Sequence, residues 1–302
     1  MVELKRHLEV FMIRKAVIPV AGWGTRVLPA TKSLPKPLLP VADLPTIYYV
    51  VEEAVASGIE HIIFVTSRHM RAVEDFFDEN LELNGVLAAK HNNDMLARLH
   101  AIESMAKFSF VRQSSPRGLG HAVLMASEII GNEPFAVMLG DDLVVNDGGD
   151  PCLKQLIDTS AQGNNSSVLG VMRVPLPDVA KYGVVAGDQV APKVTRVRGM
   201  VEKPTPDEAP SNLAVIGRYI LTPEIFEAIR RTPVGKGNEI QLTDALCLLL
   251  SLQPIYAYEY DGIRYDTGDT VSWLTTSIAY TLRRPDLAPG VKEYLRTLDL
   301  SD

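Results

Sequence analysis

The chain has 302 residues, of which 46% are hydrophobic, and a formal net charge of −7. That length and composition suit a globular α/β protein of one large domain or two small ones. The acidic balance, with no long basic block, disfavours nonspecific binding to nucleic acid or to an anionic membrane, so any anionic substrate must be held by locally placed cations.

Residues 1–13 read as a mixed, charged extension (Glu3, Lys5, Arg6) without an apolar signal core. The apolar run Ala16 to Val20 then breaks into Ala21-Gly22-Trp23-Gly24-Thr25-Arg26, the pattern of a buried strand ending in a glycine turn. Gly22 and Gly24 let backbone N–H groups approach a ligand, and consecutive N–H groups in such a turn make an anion-binding concavity. Arg26 and Lys36 add fixed positive charge suited to phosphate oxygens. Two familiar phosphate loops do not fit. Val27 stands where a dinucleotide fingerprint needs its third glycine, and no glycine precedes Lys32-Ser33 as a P-loop requires. Pro29, Pro35, Pro37 and Pro40 argue for a stiff loop rather than an immediate helix. On Gly22 and Gly24 alone, an ordinary strand-to-helix turn is an equal reading.

A helix over 45–55, stopped by Gly58, and a buried strand over 61–66 complete a strand, helix, strand unit, the signature of a parallel sheet. Helices are expected over 70–79 and about 86–106, the latter amphipathic through Leu87, Met95, Leu96, Leu99 and Ile102. A third strand, 108–112, runs into a second glycine loop, Gln113 to His121, followed by a helix over 122–130. A fourth strand, 135–139, ends in Gly140-Asp141-Asp142, so three strand ends carry polar or glycine-rich turns that could share one sheet edge. Strands are expected over 167–174, 183–186, 195–202, 213–221 and 255–260, helices over 223–230 and 242–250, and a mostly helical tail from Val271. Between 145 and 165 only a change of character is visible. Cys152 and Cys247 lie outside any C-x-x-C pattern, and the six histidines are scattered, which points to a reducing cytoplasm without a disulfide framework or zinc site. No stretch approaches the length of a membrane span.

Asp141 follows a buried strand, where a carboxylate can face a ligand, and Asp266 lies in Tyr265-Asp266-Thr267-Gly268-Asp269. Singly, each reads as a turn or cap. Beside a phosphate loop the pair suggests a Mg²⁺ site, since Mg²⁺ is held by one or two carboxylates plus phosphates and water. Glu202-Lys203 by itself reads as a solvated charge pair. Asn238 to Ala245 by itself reads as a helix start capped from Asn238.

The string Gly22-x-Gly24-Thr25-Arg26-x-Leu28-Pro29-x-Thr31-Lys32, with Pro35-Lys36-x-x-Leu39-Pro40-Val41, resembles the nucleotide-binding signature of the sugar-1-phosphate nucleotidylyltransferases, most closely the bacterial UTP–glucose-1-phosphate uridylyltransferases. The resemblance runs from about Lys15 to Asp269 and is weaker over 79–107. It implies a Rossmann-like α/β fold with a mixed, mostly parallel central sheet flanked by helices. One nucleotidyltransferase domain is then expected over 14–285, with a nucleotide-binding half at about 14–145, a sugar-phosphate half at about 165–270, and a C-terminal tail at 286–302.

The resemblance also implies roles. Ala21, Gly22, Gly24, Thr25, Arg26, Lys36, Gln113 and Gly118 would bind the nucleotide, and Gly183, Glu202, Lys203 and Gly217 the sugar phosphate. Asp141 and Asp266 would hold Mg²⁺, and Arg26, Lys36, Asp141 and Lys203 would be the catalytic set. The implied substrates are UTP and glucose 1-phosphate, and the implied assembly is a homodimer or homotetramer. One position departs from the pattern. Pro37 follows Lys36 where the uridylyltransferases usually carry an acidic residue, which leaves thymine, cytosine or guanine open as the base. A non-catalytic sugar-nucleotide sensor is the alternative from another class, and the metal carboxylates argue against it. A dehydrogenase is weaker still, for want of the third glycine.

Overall fold

The computed structural model describes residues 12–299, so the extension expected at 1–13 falls almost wholly outside them. In chain order the elements are β1 (Lys15–Pro19), β2 (Pro40–Val41), β3 (Leu44–Pro45), α1 (Thr46–Ala56), β4 (His61–Thr66), α2 (Arg71–Phe77), α3 (Leu81–Ala89), α4 (Asn93–Glu103), β5 (Lys107–Arg112), α5 (Leu119–Met125), α6 (Ser127–Ile130), β6 (Phe135–Met138), β7 (Asp142–Val145), α7 (Cys152–Gln162), β8 (Ser167–Arg173), β9 (Gly183–Ala191), β10 (Val194–Glu202), β11 (Leu213–Leu221), α8 (Glu224–Arg231), α9 (Leu242–Leu249), β12 (Ile255–Glu259), β13 (Ile263–Asp266), α10 (Thr270–Arg283) and α11 (Ala288–Thr297). No helix among the described residues is long and apolar enough to cross a membrane.

A nine-stranded sheet in the order β5-β4-β1-β6-β11-β8-β12-β10-β9 spans both halves of the chain. Its first four strands are mutually parallel, and β12 is parallel to β8. β11 pairs antiparallel with β6 and β8, and β10 pairs antiparallel with β12 and β9. The first half is therefore the parallel, helix-wound part. The second half is mixed, because β9 and β10 follow one another as a hairpin and need no crossover helix.

The parallel strands are buried on both faces, which explains their unbroken apolar runs. Val17, Ile63, Val65, Phe135 and Val137 pack into one cluster, and Ala16, Ile18, Ile62, Phe64, Ala136 and Met138 into another. Neighbours in sequence thus belong to opposite faces, as the two-residue strand period dictates. The α1 helix buries Thr46, Ile47, Val50, Val51, Glu53 and Ala54, a helical stripe that covers the second cluster.

Glu53 is the polar exception on that stripe. It pairs with Arg218 of β11, whose side chain is 0% exposed. Arg218 Nε donates to Glu53 Oε1 and Oε2 at 3.1 Å, and its Nη2 donates to Glu53 Oε2 and to the Asp142 carbonyl, both at 2.7 Å. Its Nη1 donates to the carbonyls of Gly217 (3.0 Å) and Leu139 (3.4 Å). Every guanidinium nitrogen is engaged, the condition under which a buried arginine is tolerated.

Several elements differ from the sequence expectation. The helix expected over 86–106 is two, α3 and α4, broken where His91 takes φ +52°. Asn80 and Asn92 cap them, accepting from the N–H groups of Leu83 and Met95. The helix expected over 122–130 starts earlier, at Leu119, and splits into α5 and α6. β9 runs five residues past Ala186 because β10 pairs with it along its length. α7 occupies part of the stretch where no element was read, and β7 and β13 form a separate two-stranded ladder. The segment from Asn238 does not cap a helix: α9 begins at Leu242, with Gln241 at its N-cap.

Breaking the Glu53–Arg218 pair should cost about 3–5 kcal/mol, because it strands a buried charge. Arg218→Met is expected to lower unfolding free energy in urea by that amount, and Glu53→Met/Arg218→Met to lose less than the two single variants summed. A loss under about 1 kcal/mol for Arg218→Met would show that the pair contributes nothing to the fold.

Candidate active site

In the parallel half, β1 lies between β4 and β6, so the chain winds outward from β1 to one side and returns on the other. Crevices at such a switch point, beyond the carboxyl ends of the strands, are where open α/β sheets bind ligands. The turn after β1, the loop after β5 and the turn after β6 all leave that edge, as the sequence anticipated.

Two neighbouring cavities flank the first glycine turn. One, of about 270 Å³, is lined by Gly22, Gly24, Thr25, Arg26 and Lys36 from the signature loop and by Gly140, Asp141 and Gly268. The loop itself is three single turns of 3₁₀ helix, Thr25–Val27, Ala30–Lys32 and Lys36–Leu38, in keeping with its prolines. Gly24 takes φ +63°, and a Cβ there would stand 2.9 Å from Lys36 Cβ, so both conformation and space call for glycine. Lys36 Nζ donates to Asp141 Oδ2 at 2.5 Å, with the two side chains 12% and 35% exposed. Burial raises the Asp141 pKa, but the Lys36 charge and hydrogen bond outweigh it and hold the carboxyl below its ordinary range.

The second cavity, of about 220 Å³, is lined by Ala21, Trp23, Ser67, Arg68, His69, Arg112, Gln113, Ser114 and Pro116. Trp23 is 60% exposed, and its ring lies 4.8 Å from that of His69. Gln113 is buried, and its Nε2 donates to the Gly118 carbonyl at 3.3 Å and to His121 Nδ1 at 2.8 Å. Gly118 takes φ +95°, and a Cβ there would stand 2.7 Å from Glu239 Cβ and 2.8 Å from the Ile240 carbonyl oxygen. Ile240 bonds this loop on both sides: its N–H donates to the Arg117 carbonyl (2.8 Å), and its carbonyl accepts from the Gly120 N–H (2.9 Å). The segment read as a helix start is therefore the clamp of the second glycine loop. Ala21 is in the second cavity and Gly22 in the first, so that turn separates Arg26 and Lys36 on one side from Gln113 on the other.

The β7–β13 ladder brings the acidic residues together. Asp142 is in register with Asp266, and Thr267 donates through both its N–H and its hydroxyl to the Asp141 carbonyl, at 3.0 Å each. Asp266 Oδ1 accepts the Gly268 N–H at 2.6 Å. Arg264 pairs with Asp142 and, at 3.3 Å, with Asp266. Burial pushes the Asp142 carboxyl up against the pull of Arg264. The two adjacent aspartates are thus driven in opposite directions, Asp141 toward an open ionised carboxylate and Asp142 into the protein.

Gly183, Glu202 and Lys203 form a third group. Glu202 Oε2 accepts from Thr243 Oγ1 at 2.7 Å, and a Cβ at Gly183 would stand 3.2 Å from Glu202 Oε2. Lys203 takes φ +48°, is 52% exposed and reaches Glu202 Oε1 at 3.1 Å. Its N–H donates to the Tyr182 carbonyl at 2.9 Å, and the Tyr182 hydroxyl accepts from Arg264 at 3.1 Å. Arg264 and Tyr182 thereby tie this group to Asp142 and Asp266. Gly217 sits apart, inside β11, where its N–H donates to Asp142 Oδ2 at 2.8 Å and a Cβ would meet Leu139 Cβ at 2.6 Å. Its contacts are with the loop that carries Asp141.

Trp23, His69, His121, Asp142, Arg264 and Thr243 carry this geometry without having been given a role from sequence. Trp23 gave a signal as an aromatic inside a phosphate-type turn, and Asp142 as the neighbour of Asp141. Among the described residues no three His, Cys, Asp or Glu side chains form a ready-made metal cage. Asp141 lines the first cavity and Asp266 bonds the N–H of Gly268, which lines it too; carboxylates are the hard oxygen donors that Mg²⁺ takes, supplemented by phosphate and water.

The fold and site define a class: an α/β protein whose sheet edge carries a cavity lined by glycines, Arg26 and Lys36, a lining suited to a phosphorylated ligand. The sequence profile of the nucleotidyl transferase family matches residues 15–282, and the chain belongs to that family. It is 48% identical over 288 residues to a UTP–glucose-1-phosphate uridylyltransferase of Staphylococcus epidermidis, covering 95% of this chain and 99% of that protein. It is 49% identical over 286 residues to one of Streptococcus pyogenes, covering 94% and 93%. A UTP-bound UGPase from Acinetobacter baumannii has a TM-score of 0.89 at 40% identity, covering 95% of this chain and all of that one. A UDP-glucose pyrophosphorylase complexed with UDP-glucose has a TM-score of 0.83 at 44% identity, covering 90% and 100%.

Gly118→Ala tests the clamped loop. The added methyl meets two neighbours closer than contact distance at a φ that alanine resists, so nucleoside triphosphate affinity should fall at least about tenfold while the helices persist. Calorimetric titration and circular dichroism would check this, and unchanged affinity would show that the loop does not shape the pocket.

Proposed function

We propose that the protein transfers a uridylyl group from UTP to α-D-glucose 1-phosphate, giving UDP-glucose and pyrophosphate. The observation that carries this reading is the meeting of Gly22, Arg26, Lys36 and Asp141 in one cavity at the switch point of the sheet, in a chain that matches uridylyltransferases over its length. An oxygen of the sugar phosphate attacks the α-phosphorus in line. The bond from that phosphorus to the bridging oxygen breaks, and pyrophosphate leaves with the electron pair. The nucleophile is already anionic, so no general base is needed, and catalysis is positioning plus charge stabilisation.

In this reading Ala21, Gly22, Gly24 and Thr25 present backbone to the nucleotide, and Arg26 and Lys36 stabilise the charge of the triphosphate. Gln113 and Gly118 meet the base and ribose. Lys203 takes the incoming phosphate, Glu202 accepts from sugar hydroxyls, Gly183 leaves room beside Glu202, and Gly217 supports the floor through Asp142. Asp141 and Asp266 are the residues suited to hold Mg²⁺, which when bound neutralises phosphate charge. Pro37 lines the phosphate-side cavity and not the base-side one, so the departure at that position does not count against a uridylyl donor.

Pyrophosphate release measured across four nucleotides should rank UTP first and dTTP second. CTP or GTP outperforming UTP would change the base and keep the reaction class. Excess chelator should abolish turnover, and Asp141→Asn and Asp266→Asn should each cut it sharply with the fold intact. Full turnover in chelator would sink the metal assignment. The lysines should separate. Lys203→Ala is expected to lower kcat/KM for glucose 1-phosphate at least about tenfold with UTP binding unchanged, because it removes one charge-assisted contact. Lys36→Ala should instead weaken UTP binding or the rate at saturating sugar. Wild-type dependence of Lys203→Ala on glucose 1-phosphate would refute the acceptor site.

A further inference from the structure

Gln113 has two hydrogen-bonding ends, and the protein uses one of them. Its amide nitrogen faces the Gly118 carbonyl at 3.3 Å and His121 Nδ1 at 2.8 Å. A carbonyl oxygen can only accept, so the amide end facing Gly118 must be the NH₂ and a flipped amide would set two oxygens against each other. His121 Nδ1 must then accept as well, which fixes the imidazole as the neutral tautomer protonated on Nε2. Burial, and after it the Arg117 charge, lower the pKa of His121 and favour that neutral form. Both NH₂ hydrogens are engaged inside the loop. The carbonyl end, Oε1, has no hydrogen-bond partner among the described residues and is not sealed from solvent, and Gln113 lines the base-side cavity.

We propose that His121 is a positioning residue for base selection: with the Gly118 carbonyl, and as the nearer of the two acceptors, it holds the Gln113 amide so that the base meets a fixed acceptor, Oε1. This rests on the uridylyl-transfer reading above. A fixed acceptor suits uracil and thymine, which carry a hydrogen on N3. It opposes cytosine, whose N3 is itself an acceptor, and an amide free to rotate would serve either base. Specificity then comes from a residue that does not touch the base, through a donor already used up by the protein.

The experiment compares kcat/KM for UTP and CTP in the wild type, His121→Leu, His121→Asn and Gln113→Leu. Removing the acceptor in His121→Leu should lower the UTP to CTP ratio about tenfold or more, while His121→Asn, which can offer an oxygen at the same place, should keep the wild-type ratio. His121→Leu/Gln113→Leu should be no less selective than Gln113→Leu alone, since the histidine acts only through the glutamine. An unmoved ratio in His121→Leu, or additive losses in the double variant, would overturn the lock. If His121→Leu does not fold, UTP methylated on N3 tests the acceptor in the wild type. It should be used at least about tenfold less well than UTP, and equal use would overturn the proposal. A wild type that uses CTP and not UTP would refute the donor assignment itself, an outcome distinct from a wild type that prefers UTP with an indifferent His121.

Discussion

The site depends on one buried guanidinium. Arg218 gathers α1 through Glu53, its own strand through the Gly217 carbonyl, and the turn after β6 through the Leu139 and Asp142 carbonyls. Those last two residues bracket Gly140 and Asp141, so the backbone that aims the Asp141 carboxylate is held from beneath at two points. An arginine cannot shed its charge to suit an apolar site, and its five donors have fixed directions. The acceptors must therefore come to it, and the cost of leaving any of them out keeps the turn in one shape. Glu53 closes the arrangement by accepting the Leu153 N–H as well, which draws α7 in.

Above that anchor the two halves of the chain, which share both apolar clusters, also meet through polar contacts. The β7–β13 ladder sets Asp266 against Asp142, and Arg264 spans both carboxylates before reaching the Tyr182 hydroxyl and lying 5.3 Å from the centre of that ring. Tyr182 in turn carries the backbone bond to Lys203. The loop that carries Asp141 and the Glu202–Lys203 group are thus linked through Asp142, Asp266, Arg264 and Tyr182. An ion-paired connection of this kind fixes distance and orientation, which matters for an in-line displacement, where small misplacement is costly.

Much of this was legible in the sequence, and the unread parts share a cause. The parallel strands announced themselves because burial on both faces leaves apolar runs, and the glycine turns because their spacing is unusual. The break within the helix expected over 86–106 was missed because Asn92 acts as a cap only in the context of the turn before it. β7 and β13 were missed because a four-residue strand has almost no pattern of its own and its partner lies about 120 residues away. Arg218 and Arg264 were invisible as site residues for the same reason: an arginine in an apolar strand does not say which carboxylate it will meet. Lys36 was read as a charge for phosphate, and its partner in the structure, Asp141, was not foreseen.

That resting contact has a physical consequence for ligand entry. Around the carboxyl edge, Arg26, Lys36 and Arg264 stand beside Asp141, Asp142 and Asp266, so the site without ligand is close to charge-balanced although the whole chain is acidic. A triphosphate arriving alone would have to compete with Asp141 for Lys36 and would leave that carboxylate unpaired in a partly buried place, which is unfavourable. In the proposed reading, a triphosphate that brought its own cation would avoid that cost, because Asp141 would gain a positive partner as phosphate drew Lys36 away.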